Sequence, residues 1–84
     1  MADEAKLRKD VHKGAKARQF FESPEYTEAV AGVKARLVDR WQGEARSEER
    51  DRIWLLLRAM DLITDELVSI ANNGAVAAAQ LEPK

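Results

Sequence analysis

Apolar residues recur at helical spacing along the segment Ile53 to Ile70, IWLLLRAMDLITDELVSI. Ile53, Leu56, Met60, Ile63, Leu67 and Ile70 step by 3, 4, 3, 4, 3. This is an a/d heptad pattern, and it puts all six side chains on one seam of one helix. Leu57 and Ala71 widen the seam on one side, whereas Trp54, Leu55, Leu62 and Val68 lie off it. A single partner helix covers a narrow stripe and not this much apolar circumference. The pattern therefore predicts either two partner helices or another copy of the chain.

Upstream, Ser23-Pro24 marks a helix start. Serine is a favoured N-cap, and proline suits the first helical position, where its missing N–H costs nothing. The residue before proline is biased away from helix, so any earlier helix stops by about Glu22. The stripe Tyr26, Val30, Val33, Leu37 and Trp41 then predicts a helix over 24–42. Gly32 in its middle either lets a neighbour approach closely or is simply tolerated. Gly43 is placed to cap the C-terminus, Ser47 to cap the next helix, and Glu48 and Glu49 suit its first turn. A connection as short as 43–46 usually joins antiparallel neighbours, so the helices over 24–42 and 48–72 are expected to form an antiparallel hairpin.

Residues 4–21 predict a first helix, with Asp3 and Glu4 at the positive end of its dipole. Its stripe of Leu7, Val11 and Ala15 is thin, and Gly14 costs roughly 1 kcal/mol relative to alanine. It is expected to be the least stable helix, anchored chiefly at Phe20 and Phe21. Asn72-Asn73-Gly74 reads as the end of the last helix. Residues 1–3 and 75–84 are then weakly held termini. The expected fold is all-α: a single helical domain over 1–84 with helices near 4–21, 24–42 and 48–72.

The 84-residue length allows only a small core, and the charged content of 35% suits long solvated helices. The absence of cysteine excludes disulfides and thiolate metal sites. The first ten residues have no apolar signal region. The longest apolar run, Ile53 to Leu57, is too short to span a membrane. The expected location is the cytoplasm. Charge is uneven: residues 1–21 carry six cations and three anions, the rest eight cations and twelve anions, for a net −1. A basic end of this kind suits a polyanion, the chain's own acidic body or a neighbouring subunit.

Little of the chain carries chemistry. Asp61 and Asp65 lie one turn apart with Glu66 beside them, but the Glu-x-x-His pattern of helical di-metal sites is absent, so they read as solvated charge. His12 has no serine, cysteine or histidine partner nearby in sequence and reads as exposed. There is no phosphate loop, nucleophile elbow or zinc spacing. The sequence thus predicts neither an enzyme nor a cofactor or metal site. The cations Lys6, Arg8, Lys9, Lys13, Lys16 and Arg18, followed by Phe20-Phe21, support an alternative as a small nucleic-acid-binding accessory. Trp41 reads as core. Trp54 is either an interface anchor or partly buried under the 43–47 connection.

The run KARQFFESPEYTEAVAGVKARLVDRWQ, followed by ERDRIWLLLRAMDLITDELVSIANNG, resembles small proteins encoded near the terminase, portal and capsid genes of tailed phages and prophages. The resemblance covers about residues 16–74. Its marks are Phe21, Ser23, Pro24, Tyr26 and Ala29 at a helix start, the middle tryptophan Trp41, the arginine-and-leucine start of the last helix, and the ending Asn73-Gly74. These are structural signatures and carry over no site residues. The resemblance implies a helical phage protein, a virion or head-assembly component. The expected function is non-enzymatic assembly, with Trp54, Leu55, Leu62 and Val68 as the interface. The expected partners are further copies of the chain or other phage structural proteins, in the host cytoplasm or the virion, with no membrane. A self-sufficient three-helix monomer is the alternative.

Overall fold

The computed structural model describes residues 3–82. They form three helices, α1 (Glu4–Glu22), α2 (Pro24–Gly43) and α3 (Ser47–Leu81), with no strand among the described residues.

Local capping chemistry explains the breaks. The Asp3 carboxylate accepts the Ala5 N–H at 3.1 Å and opens α1. Ser23 serves two helices at once. Its hydroxyl donates to the Phe20 carbonyl at 2.7 Å, closing α1, and accepts the Tyr26 N–H at 3.2 Å, opening α2. The 43–47 connection differs from expectation. Gly43 is the last helical residue and not a left-handed cap, since no glycine has positive φ among the described residues. Ser47 is the first residue of α3, and Arg46 holds the cap position without a side-chain bond. The Glu44 carboxylate braces the turn instead, accepting the Arg46 N–H at 2.9 Å and its Nε at 3.1 Å. These hydrogen bonds from Arg46 hold the Glu44 carboxyl below the usual range.

α3 corrects the expected ending at residue 72. It runs for 35 residues, through Asn72-Asn73-Gly74 to Leu81. At 1.5 Å per residue it is about 52 Å long, and it sets the longest dimension of a body measuring 60 × 26 × 17 Å. Residues 75–81 are not a loose tail, because Ala77 is only 3% exposed. Residues 1, 2, 83 and 84 of the expected weak termini lie outside the described residues.

α1 and α2 lie along different stretches of α3. α1 takes the C-terminal half, where Gly14 faces Gly74 and the Ile70 carbonyl. A Cβ built on Gly14 would stand 2.7 Å from the Gly74 Cα, so the two backbones meet without side chains between them. Ala17, Ala71 and Ala77 are buried along the same contact. Small residues therefore anchor α1 along this stretch, and of the two expected anchors Phe21 is half-buried beside Tyr26 and Val30. Phe20 is exposed and its ring lies 4.9 Å from that of Tyr26. α2 takes the N-terminal half through Tyr26 with Thr64, Lys34 with Asp61, and Trp41 with the guanidinium of Arg50. Gly32 has nothing within 4 Å of a Cβ built on it, so it is a tolerated glycine.

This arrangement moves the buried seam of α3. Ile53, Met60 and Leu67 remain on it, joined by Leu57, Thr64, Ala71, Gly74, Ala78 and Leu81. That set steps by 4, 3, 4, 3, 4, 3, 4, 3, a longer heptad pattern than the one expected. Leu56 and Ile63, expected in the core, are 49% and 60% exposed. The reason is in the partners. The Tyr26 hydroxyl pairs with Thr64, and α1 nests on the small side chains at 71, 74 and 77, so both helices approach from that flank.

Candidate protein interface

The four residues expected at an interface are all exposed but do not share one surface. Leu55 and Leu62 are each 61% exposed and stand seven residues apart, which places them on one face of α3. Leu56 and Ile63 adjoin them, and the small Ala59 lies between the pairs, also exposed. The result is a continuous apolar strip on the side of α3 away from the Tyr26–Thr64 and Lys34–Asp61 contacts. Sequence reasoning assigned Leu56 and Ile63 to the core because they fit the heptad seam. The available signal was a second heptad series, Arg52, Leu56, Ala59, Ile63, Glu66, Ile70, running beside the first.

Trp54 and Val68 point elsewhere. Trp54 is about half exposed and lines an apolar hollow of about 250 Å³ with Val38, Trp41 and Leu57. The Arg58 guanidinium lies 5.9 Å from its ring centre. Val68 is 37% exposed and isolated from the strip.

On this second side, α2 and α3 also enclose an open cleft of about 510 Å³. Its floor holds the Tyr26 and Thr64 hydroxyls, 2.8 Å apart. Lys34 Nζ donates to Asp61 Oδ1 at 2.6 Å across it. That hydrogen bond, the positive charge behind it and the nearby Arg58 lower the Asp61 pKa. Arg58 and Asp65 complete its polar rim. Asp61 is thus engaged in a helix-to-helix ion pair, whereas the sequence suggested only solvated charge. Among the described residues, no group of three or more His, Cys, Asp or Glu side chains is placed to hold a metal ion. His12 is exposed on α1.

The six candidate cations of α1 are all exposed. Arg8 pairs with Glu4 at 3.2 Å and Arg18 with Glu22 at 3.3 Å. Lys6, Lys9, Lys13 and Lys16 make no ion pair among the described residues, and their 3, 4, 3 spacing aligns them in a single stripe that Phe20 extends by four residues. Arg8 and Arg18 lie off this stripe, so the six cations do not form one face. Lys13 lines a small hollow with Asp10, Ile70 and Asn73, so the stripe flanks α3 on its Ile70 edge.

Among known proteins, no family model, curated protein or solved structure matches the chain. No helix among the described residues is long and apolar enough to cross a membrane.

Proposed function

We propose that this chain is a non-enzymatic assembly or adaptor protein that works through the outward apolar strip of α3. The observation that carries this reading is the strip itself: Leu55, Leu56, Leu62 and Ile63, about half to three-fifths exposed, on the longest helix of the fold. Burying a leucine or isoleucine fully is worth about 1.5–3 kcal/mol. Four side chains already partly covered retain roughly half of that each, or about 3–6 kcal/mol in all. Contiguous apolar surface of this kind marks interaction sites. Trp54 and Val68 serve as separate contacts on the opposite side. The α2–α3 unit is an antiparallel hairpin, a reading supported by the order of the pairs Tyr26–Thr64, Lys34–Asp61 and Trp41–Arg50. The resemblance to phage head-region proteins suggests a virion or head-assembly role, in the host cytoplasm or the particle.

The test is the double variant Leu55→Glu, Leu62→Glu, measured by sedimentation equilibrium and by incorporation into particles. Both side chains are exposed, so helicity and melting are expected to be unchanged while association is lost. Association or incorporation that persists in the variant would refute the reading.

A second reading is favoured by the lysine stripe ending at Phe20: contact with the phosphates of a nucleic acid, with the aromatic available to stack on a base. Four phosphate contacts predict that log K falls with log salt at a slope of about −3. Replacing the four lysines by alanine flattens that slope; binding that is insensitive to salt would exclude this reading.

A further inference from the structure

Resting on the reading of the α3 strip as a docking surface, we propose that its occupant is a second copy of the chain, packed about a two-fold axis at Ala59. The outward face carries Arg52, Leu55, Leu56, Ala59, Leu62, Ile63 and Glu66 within about 120° of helix arc. Counted outward from Ala59, these residues mirror one another in kind. Three residues away stand Leu56 and Leu62, four away Leu55 and Ile63, and seven away Arg52 and Glu66.

In a two-fold contact, residue i meets residue j and j meets i. Two α3 helices running in opposite directions about Ala59 set Leu56 against Leu62, Leu55 against Ile63 and Arg52 against Glu66, each pair occurring twice. Opposite charges then close both ends of the apolar strip. A parallel arrangement sets Arg52 on Arg52 and Glu66 on Glu66, and like charges in register disfavour it. Ala59, the smallest side chain of the strip, falls where the two helices come closest. Among the described residues, Arg52 is engaged only by Glu49 one turn away, at 3.2 Å. A surface pair of that kind is weak and leaves Arg52 free to turn to the second copy.

The register extends beyond the strip. Eleven residues from the axis, Glu48 at the start of α3 meets Ile70. Lys13 shares the surface hollow beside Ile70. Glu48 of the second copy thus arrives next to the lysine stripe, and the basic end of one chain meets the acidic helix start of the other. The eight large apolar side chains and their charged flanks bury roughly 1,000 Å² in total, at the lower edge of specific interfaces.

The chain has no cysteine, which makes cross-linking decisive. Ala59→Cys is expected to oxidise to a disulfide-linked dimer, because the axis brings its two copies together. Asn72→Cys, also exposed, is expected not to, since its copies lie about 40 Å apart along the paired helices. By sedimentation equilibrium, Arg52→Glu and Glu66→Arg each weaken self-association about tenfold. An equal mixture of the two variants recovers it as a mixed dimer, since both salt pairs are then restored. Suppose instead that the chain self-associates and Leu55→Glu, Leu62→Glu disrupts it, but neither the cross-link nor the rescue on mixing appears. The strip then still docks a copy, and the axis at Ala59 is overturned. A wild-type chain that stays monomeric, with Ala59→Cys uncross-linked, overturns the second copy altogether. Particle incorporation of the double variant then decides the docking reading separately.

Discussion

Gly14→Ala and Gly32→Ala are the same chemical change in two helices of similar length, and the structure assigns them opposite signs. Both glycines are helical with ordinary negative φ, so alanine gains about 1 kcal/mol of helix propensity at each. At Gly32 nothing opposes that gain, because among the described residues no atom outside its own stretch of helix backbone lies within 4 Å of the new Cβ. At Gly14 the new Cβ would stand 2.7 Å from the Gly74 Cα and 3.1 Å from the Ile70 carbonyl oxygen. Carbon atoms rest about 3.5–4.0 Å apart, so α1 must withdraw from α3 by nearly an ångström. The obstacle is backbone, and no side chain can rotate out of the way. Overpacking of this kind costs about 1–3 kcal/mol. A withdrawn α1 also loosens the buried Ala17, Ala71 and Ala77 contacts, which places Gly14→Ala toward the upper end of that range. The net expectation is about 1–2 kcal/mol of destabilisation for Gly14→Ala against about 1 kcal/mol of stabilisation for Gly32→Ala. For a domain of this size each kcal/mol moves Tm by about 4–8 °C, so thermal melts followed by circular dichroism separate the pair clearly. A Gly14→Ala chain that melts at or above the wild-type temperature would show that α1 does not seat on α3 at Gly74, and the account of α1 would fall with it.

Other contacts make further predictions. Tyr26→Phe removes the 2.8 Å hydroxyl pair with Thr64, and urea titration should find a loss of about 0.5–1.5 kcal/mol; no loss would mean that water serves Thr64 equally well. Asp61 has a lowered pKa because Lys34 bonds its charged form. Its contribution is therefore present above the ordinary aspartate pKa of about 3.9 and fades as pH falls through the lower folded value. Asp61→Asn should flatten the acid limb of the stability–pH curve while leaving its shape above pH about 6 unchanged; an acid limb identical to wild type would rule the pair out as a contributor. Truncation after Asn73 removes Gly74 and the buried Ala77. Hydrogen exchange should then show lost protection across α1, residues 4–22; retained protection would mean that α1 is held from elsewhere.

The helices themselves were legible in the sequence because the signals that start and stop them are local. Ser23 and Pro24 are adjacent, and the bonds made by Ser23 reach no further than four residues. The same holds for the α3 periodicity, where Ile53, Met60 and Leu67 belong to the buried seam on either reading. Periodicity, however, reports only which sides of a helix prefer to leave water. The first half of α3 is apolar on more than one side, and the heptad reading takes the flank of Leu56 and Ile63 where the fold covers that of Leu57 and Thr64. The choice fell to contacts between residues distant in the chain: the Tyr26–Thr64 pair, 38 positions apart, and the approach of Gly14 to Gly74. Asn72-Asn73-Gly74 misled for the same reason. In isolation it resembles a helix end, but the missing Cβ of Gly74 is what admits α1, and the packing of Ala71 and Ala77 around it carries the helix on to Leu81. The candidate interface was half visible, since Leu55 and Leu62 lie off any single seam. Leu56 and Ile63 joined them only because α1 and α2 pack on the opposite flank, a matter of which helix faces fit each other and not of how apolar each face is.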